Sequence, residues 1–223
     1  MSTVVNKSKQ LPWICGVFGV AACLMALLPE SVLNVFQYDR ERILAGEWWR
    51  LYSGHFVHWT SSHLVWDVLV FVVCGLLLEW IRRRLLVLIL FVGPVLISGA
   101  LMVLQPDMHT YRGLSAIDMS LFVAVCLQAM SYCSLRKKSS LLLIWGFALF
   151  VSFLKPLAEL FAGAAFFVTY FGDGIQASPL AHLLGVMVAV GLFKTISFSE
   201  RVSASSHCNH SCRSHRLSGI STS

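Results

Sequence analysis

The apolar residues of this chain fall into six long blocks, roughly 12–29, 62–81, 85–104, 114–134, 140–161 and 179–198. Each is long enough, or nearly so, to cross a hydrocarbon layer about 30 Å thick as a helix rising about 1.5 Å per residue. The pattern predicts an all-α membrane protein with six transmembrane helices. No internal repeat or low-complexity segment interrupts it. Lys7 and Lys9 precede the first block, as in a signal peptide, but five further blocks follow, so it reads as a retained helix. Residues 1–200 form one domain on this reading. From Arg201 the composition turns to Ser, His, Cys and Arg, and 201–223 is expected to be a polar, disordered tail.

Composition narrows the picture. The chain has 223 residues, 57% of them hydrophobic and 13% charged, with mean hydropathy +0.74. A soluble domain of this length needs more polar surface. The net charge of +6 does not point to nucleic acid, because no RNA- or DNA-binding motif accompanies it. The basic residues instead sit where topology determinants sit. Lys7 and Lys9 precede the first block; Arg82, Arg83 and Arg84 follow the second; Arg136, Lys137 and Lys138 follow the fourth; Lys194, Arg201, Arg213 and Arg216 end the chain. With six crossings all four clusters share one side, which the positive-inside rule makes the cytoplasm. Both termini are then cytoplasmic, and 30–61, 105–113 and 162–178 face outward. Five of the seven cysteines lie in or beside apolar blocks, and nothing suggests a disulfide framework.

The first outer loop mixes Trp48, Trp49, Tyr52, Phe56 and Trp59 with Glu47, Arg50 and His55. That mixture suits short helical segments at the membrane–water boundary. More telling are polar residues at the outer ends of the blocks: His58, His63 and Asp67 at the second, Ser115 and Asp118 at the fourth, and His182 at the sixth. These three helices run in one direction, so the residues reach similar depth. Polar groups in oil are costly unless paired or used. A serine becomes a nucleophile when a base takes its proton, and a neutral histidine is the usual base. A first-turn serine also carries a backbone N–H with no partner inside the helix, a natural oxyanion donor. Taken singly, Ser115 could bond the preceding turn and His182 a neighbouring helix.

These segments resemble the rhomboid intramembrane serine proteases. In "EWWRLYSGHFVHWTSSHLVWD" the positions His58, His63 and Asp67 match the family's His, four residues, His, three residues, Asn. "GLSA" at 113–116 resembles Gly-x-Ser-Gly, and "AHLLG" at 181–185 resembles Ala-His-x-x-Gly. The resemblance implies a six-transmembrane-helix rhomboid fold and hydrolysis of a peptide bond in or near a substrate's transmembrane segment. It implies Ser115 as nucleophile, His182 as base, the Ser115 N–H and His63 as oxyanion donors, and Gly113 as the residue of the tight turn. Gly185, with Ala189 beyond it, would let the fourth and sixth helices approach. No metal or organic cofactor is implied. "YRGLS", "KPLAELFAG" at 155–163 and "AHLLG" are similar to the rhombosortase branch. That likeness implies substrates with a C-terminal Gly-Gly sorting tail, a membrane helix and a basic end, and a bacterial inner membrane.

The chain departs from the family at three places. Asp67 stands where an amide often donates to the oxyanion; ionised, it cannot donate. Ala116 replaces a glycine. Asp118 faces the same side as Ser115 and could hold the His182 tautomer as a triad acid, or sit as a structural carboxylate near a helix start. Met119 stands where an aromatic residue commonly supports the histidine. Lys155 and Glu159 are spaced to pair, Pro156 is placed to kink the fifth helix, and 166–179, with Gly172 and Gly174, could form a lid. In the tail, His207, Cys208, His210, Cys212 and His215 fit no standard zinc spacing. Two other classes stay open. One is an inactive rhomboid-like protein that binds transmembrane clients. The other is a transporter using Asp67, Asp118 and Lys155, which the absence of paired halves disfavours.

Overall fold

The computed structural model describes residues 11–162 and 178–218, with side chains past Glu200 described only at Val202. The candidate lid at 166–177, Lys7, Lys9 and the tail's Cys and His side chains lie outside the described residues. In chain order the elements are α1 (Ile14–Met25), α2 (Glu30–Phe36), β1 (Tyr38–Asp39), α3 (Arg40–Leu44), α4 (Arg50–Ser53), a 3-10 turn (Gly54–Phe56), α5 (Ser61–Leu104), β2 (Thr110–Tyr111), α6 (Ser115–Leu135), α7 (Ser139–Ala162) and α8 (Pro179–Ser218). Four of them, α5, α6, α7 and the Pro179–Glu200 part of α8, are long and apolar enough to cross a membrane. The protein is a multi-pass, all-α membrane protein.

Two blocks differ from their expected outlines. The first is helical only over the 12 residues of α1. Its last turn tightens, with Leu27 N–H donating to Leu24 O and Leu28 N–H to Met25 O, and Pro29 stops it. The second and third blocks are joined in α5, so the loop expected at 82–84 shrinks to a break at Arg82, whose φ and ψ are −153° and 61°. The Arg82 guanidinium spans the break to Gln128 of α6 (3.1 Å) and to Ser197 (3.0 Å) and Glu200 (2.7 Å) of α8. A helix break needs a local cause. Here the backbone of Arg82 leaves the helix while its side chain fastens three elements together.

α1 is held by a buried acid. Glu79, on α5, accepts from the N–H groups of Trp13 (3.0 Å), Ile14 (3.1 Å) and Cys15 (3.1 Å). First-turn amides have no partner inside their own helix, and their partial positive charge favours a carboxylate. Gly75, one turn before Glu79, leaves the space that Cys15 Sγ fills.

α6 lies at the centre, packed by α5, α7 and α8. Its residues Ala116, Ile117, Leu121, Val123 and Ala124 are fully buried. α7 is peripheral and turns Leu143, Ile144, Phe147 and Phe150 outward, as a lipid-facing helix does. The stretch expected to be the first outer loop forms short helices, α2 to α4. Arg50 is buried beneath them, bonded to Glu47 and to the carbonyls of Asn34 and Gln37. A two-residue antiparallel pair, Tyr38 with Tyr111 and Asp39 with Thr110, ties this loop to the chain entering α6.

Candidate active site

The turn before Ser115 is fixed from several sides. Gly113 has φ +137°, open to glycine alone. A Cβ there would also lie 2.7 Å from Cε1 of His63. Its N–H donates to Gly54 O (3.2 Å), and its carbonyl accepts from the Tyr111 hydroxyl (3.0 Å). Burial pushes the Tyr111 phenol up from its ordinary pKa, against the pull of the neighbouring Ser115 hydroxyl, so it stays a neutral donor. The buried Arg112 donates to Gln37 (2.9 Å), Asn34 (2.8 Å) and Glu30 (2.6 and 3.3 Å) and stacks on Trp59 at 4.0 Å. Guanidinium geometry suits such a fan of planar contacts.

α8 begins with Ser178 at its N-terminus, whose Oγ accepts from Ala181 N–H at 3.3 Å, followed by Pro179 in the first helical position. This start sets His182 in the first turn. Nε2 of His182 lies 2.9 Å from Oγ of Ser115. The approach of the two helices depends on Gly185. A Cβ there would collide with the Ala116 carbonyl, and Ala189, one turn on, is fully buried. Ser120 closes the same seam, donating to Gly185 O (2.8 Å) and to Ala116 O (3.1 Å).

On the other flank, Thr60 caps α5 by accepting from His63 N–H at 3.2 Å. Nε2 of His58 and Nε2 of His63 each lie 3.2 Å from the same oxygen, Oδ2 of Asp67. The two rings meet edge to face, 5.3 Å apart. Asp67 is therefore paired with two imidazoles rather than one. Gly113 packs against His63 and Asp67 together.

Of the residues marked in the sequence, Ser115 and His182 meet, and Gly113, His63 and Asp67 gather beside them. Asp118 does not join the histidine: among the described residues no hydrogen bond links it to His182, and its Oδ1 is buried without a partner. Lys155 and Glu159 do pair, at 2.7 Å. The sequence reading missed Tyr111, Arg112 and Ser120 as supports. A charged residue just before a Gly-x-Ser turn was the available signal for Arg112. Among the described residues no group of three or more His, Cys, Asp or Glu side chains is set to hold a metal ion.

Residues 45–198 match the Rhomboid domain. The chain belongs to the rhomboid family. Rhomboids are intramembrane serine proteases acting on transmembrane substrates within the lipid bilayer, and the matched span holds Ser115, His182, Gly113, His58, His63 and Asp67. No curated protein matches the chain.

Proposed function

We propose that this rhomboid protein is an active intramembrane serine endopeptidase working through Ser115 and His182. The observation that carries the reading is the 2.9 Å contact between Ser115 Oγ and His182 Nε2 across the α6–α8 seam. In the resting site the hydroxyl donates to a neutral imidazole. On attack, Ser115 Oγ bonds to the substrate carbonyl carbon and its proton passes to His182 Nε2. The carbonyl oxygen becomes an oxyanion facing the Ser115 N–H, a first-turn amide, with His63 packed beside the turn at Gly113. His182 then protonates the leaving amine, and water releases the acyl group by the same steps.

The six crossings are α1 with the turn after it, the parts of α5 on either side of Arg82, and α6, α7 and α8. Both termini are cytoplasmic in this arrangement, and the site opens toward the outer face. The substrate is a membrane-anchored protein cut in or beside its transmembrane segment. "YRGLS", Lys155 with Glu159, and "AHLLG" support the rhombosortase branch, a bacterial inner membrane, and substrates bearing a C-terminal Gly-Gly motif, a membrane helix and a basic end. Residues 201–223 are an appendage to the protease domain of 1–200.

Co-reconstitution with a model substrate of that design tests the reading. Mass spectrometry should find a cut at or near the Gly-Gly motif, absent with Ser115→Ala. An uncut substrate that nonetheless co-purifies with the protein would favour client binding without cleavage.

A further inference from the structure

The flank formed by His58, His63 and Asp67 does something a donor amide at position 67 would not. Two imidazole nitrogens converge on one carboxylate oxygen, each at 3.2 Å. The side chains of His58, His63 and Asp67 are 2%, 10% and 9% exposed, so water does little to dilute any charge among them. The cluster abuts Gly113, two residues before the nucleophile.

The proton count decides what this cluster offers the reaction. With both rings neutral and Asp67 ionised, the group carries one negative charge, with Oδ2 facing both Nε2 atoms. That charge sits beside the place where the attacked carbonyl oxygen becomes negative, and it opposes the transition state. One more proton, whether on the carboxyl or on a ring, makes the cluster neutral. In so tight a group the proton belongs to all three residues rather than to any one.

We propose that Asp67 is a positioning residue which, with His58 and His63, holds one shared proton and so presents the oxyanion with a neutral, hydrogen-donating wall. The inference rests on the serine-protease reading and names a requirement of that same site. Other groups face the cluster from each neighbouring element. α6 contributes Asp118, which acts on Asp67 through space. β2 contributes the Tyr111 hydroxyl and α8 contributes His182. α7 contributes the Lys155–Glu159 pair, beyond His182 and neutral as a unit.

The test is the rate of labelling by a fluorophosphonate probe as a function of pH, with the full chain in detergent. The parent rate should rise on the acid side as His182 becomes free to accept a proton. On the alkaline side it should fall about tenfold per pH unit as the cluster loses its shared proton. Asp67→Asn carries no ionisable group at 67; its profile should keep the acid limb and lose the alkaline fall. A merely structural Asp67 would scale the rate without reshaping the profile. His58→Gln removes one of the two bases and should displace the alkaline limb. Superimposable alkaline limbs in the parent and Asp67→Asn overturn the proposal. If Asp67→Asn does not fold, an unmoved limb in His58→Gln overturns it equally. A folded parent that takes no label at any pH defeats the protease reading itself, a different result from labelling with an unaltered profile.

Discussion

The backbone carbonyl of Ala116 occupies the space that any side chain on Gly185 would need. This contact sets the distance between α6 and α8, and through it the 2.9 Å approach of Ser115 to His182, which are 67 residues apart in the chain. Gly185→Ala must push the helices apart or force the carbonyl aside. Overpacking of this kind costs about 1–3 kcal/mol. Active-site labelling should fall by about tenfold or more, since a shift near 1 Å in a reacting pair can cost about a hundredfold. Thermal unfolding in detergent separates the two effects.

Asp118→Asn should label within about threefold of the parent, against the roughly 10⁴-fold loss that follows when a working triad acid becomes an amide. Its Oδ1 has no partner and no hydrogen bond joins it to His182 among the described residues. A loss of that larger size would return Asp118 to the catalytic group.

Glu79→Ala leaves three buried or half-buried amides at the start of α1 without an acceptor. The expected cost is about 3 kcal/mol, read as a lowered unfolding temperature. Labelling per folded molecule should change little, because Glu79 lies about three turns along α5 from Asp67 and its hydrogen bonds among the described residues go to the α1 amides.

His55 gives a pH dependence of stability. Its ring is fully buried in the loop before α5, with Nε2 on Ser98 Oγ at 3.0 Å and Pro94 O at 3.2 Å. Burial pushes it down to about 4 from 6.5, against the favourable pull of the Pro94 and Gly113 carbonyls. The unfolded chain therefore takes up a proton below about 6.5 that the folded chain refuses until about 4. Stability is full above that window and falls as pH drops through it. Unfolding temperatures measured at neutral and mildly acidic pH should diverge for the parent and diverge less for His55→Gln.

How much of this was legible beforehand follows from what side chains and spacing encode. Ser115, His182, His63 and Gly113 could be marked because polar residues at helix starts are costly in oil, and because their motifs fall in order. The pair at 155 and 159 followed from a four-residue helical spacing. Arg82 was marked only as a topology charge; its role in the α5 break depends on partners at 128, 197 and 200, which no local pattern links to it. Glu79 resembles any helix glutamate until α1 is placed against it. His63 beside Asp67 follows from a four-residue helical spacing; His58 joins them through the bend at 57–60, which no periodicity reports. Asp118 shares a face with Ser115 by its spacing, yet among the described residues no hydrogen bond joins it to His182.

The central claim is that Ser115 is a nucleophile activated by His182. A serine-reactive fluorophosphonate applied to folded parent, Ser115→Ala and His182→Ala measures it most directly. The account predicts label on the parent alone. A folded parent that remains unlabelled, or label that persists in Ser115→Ala, would contradict it.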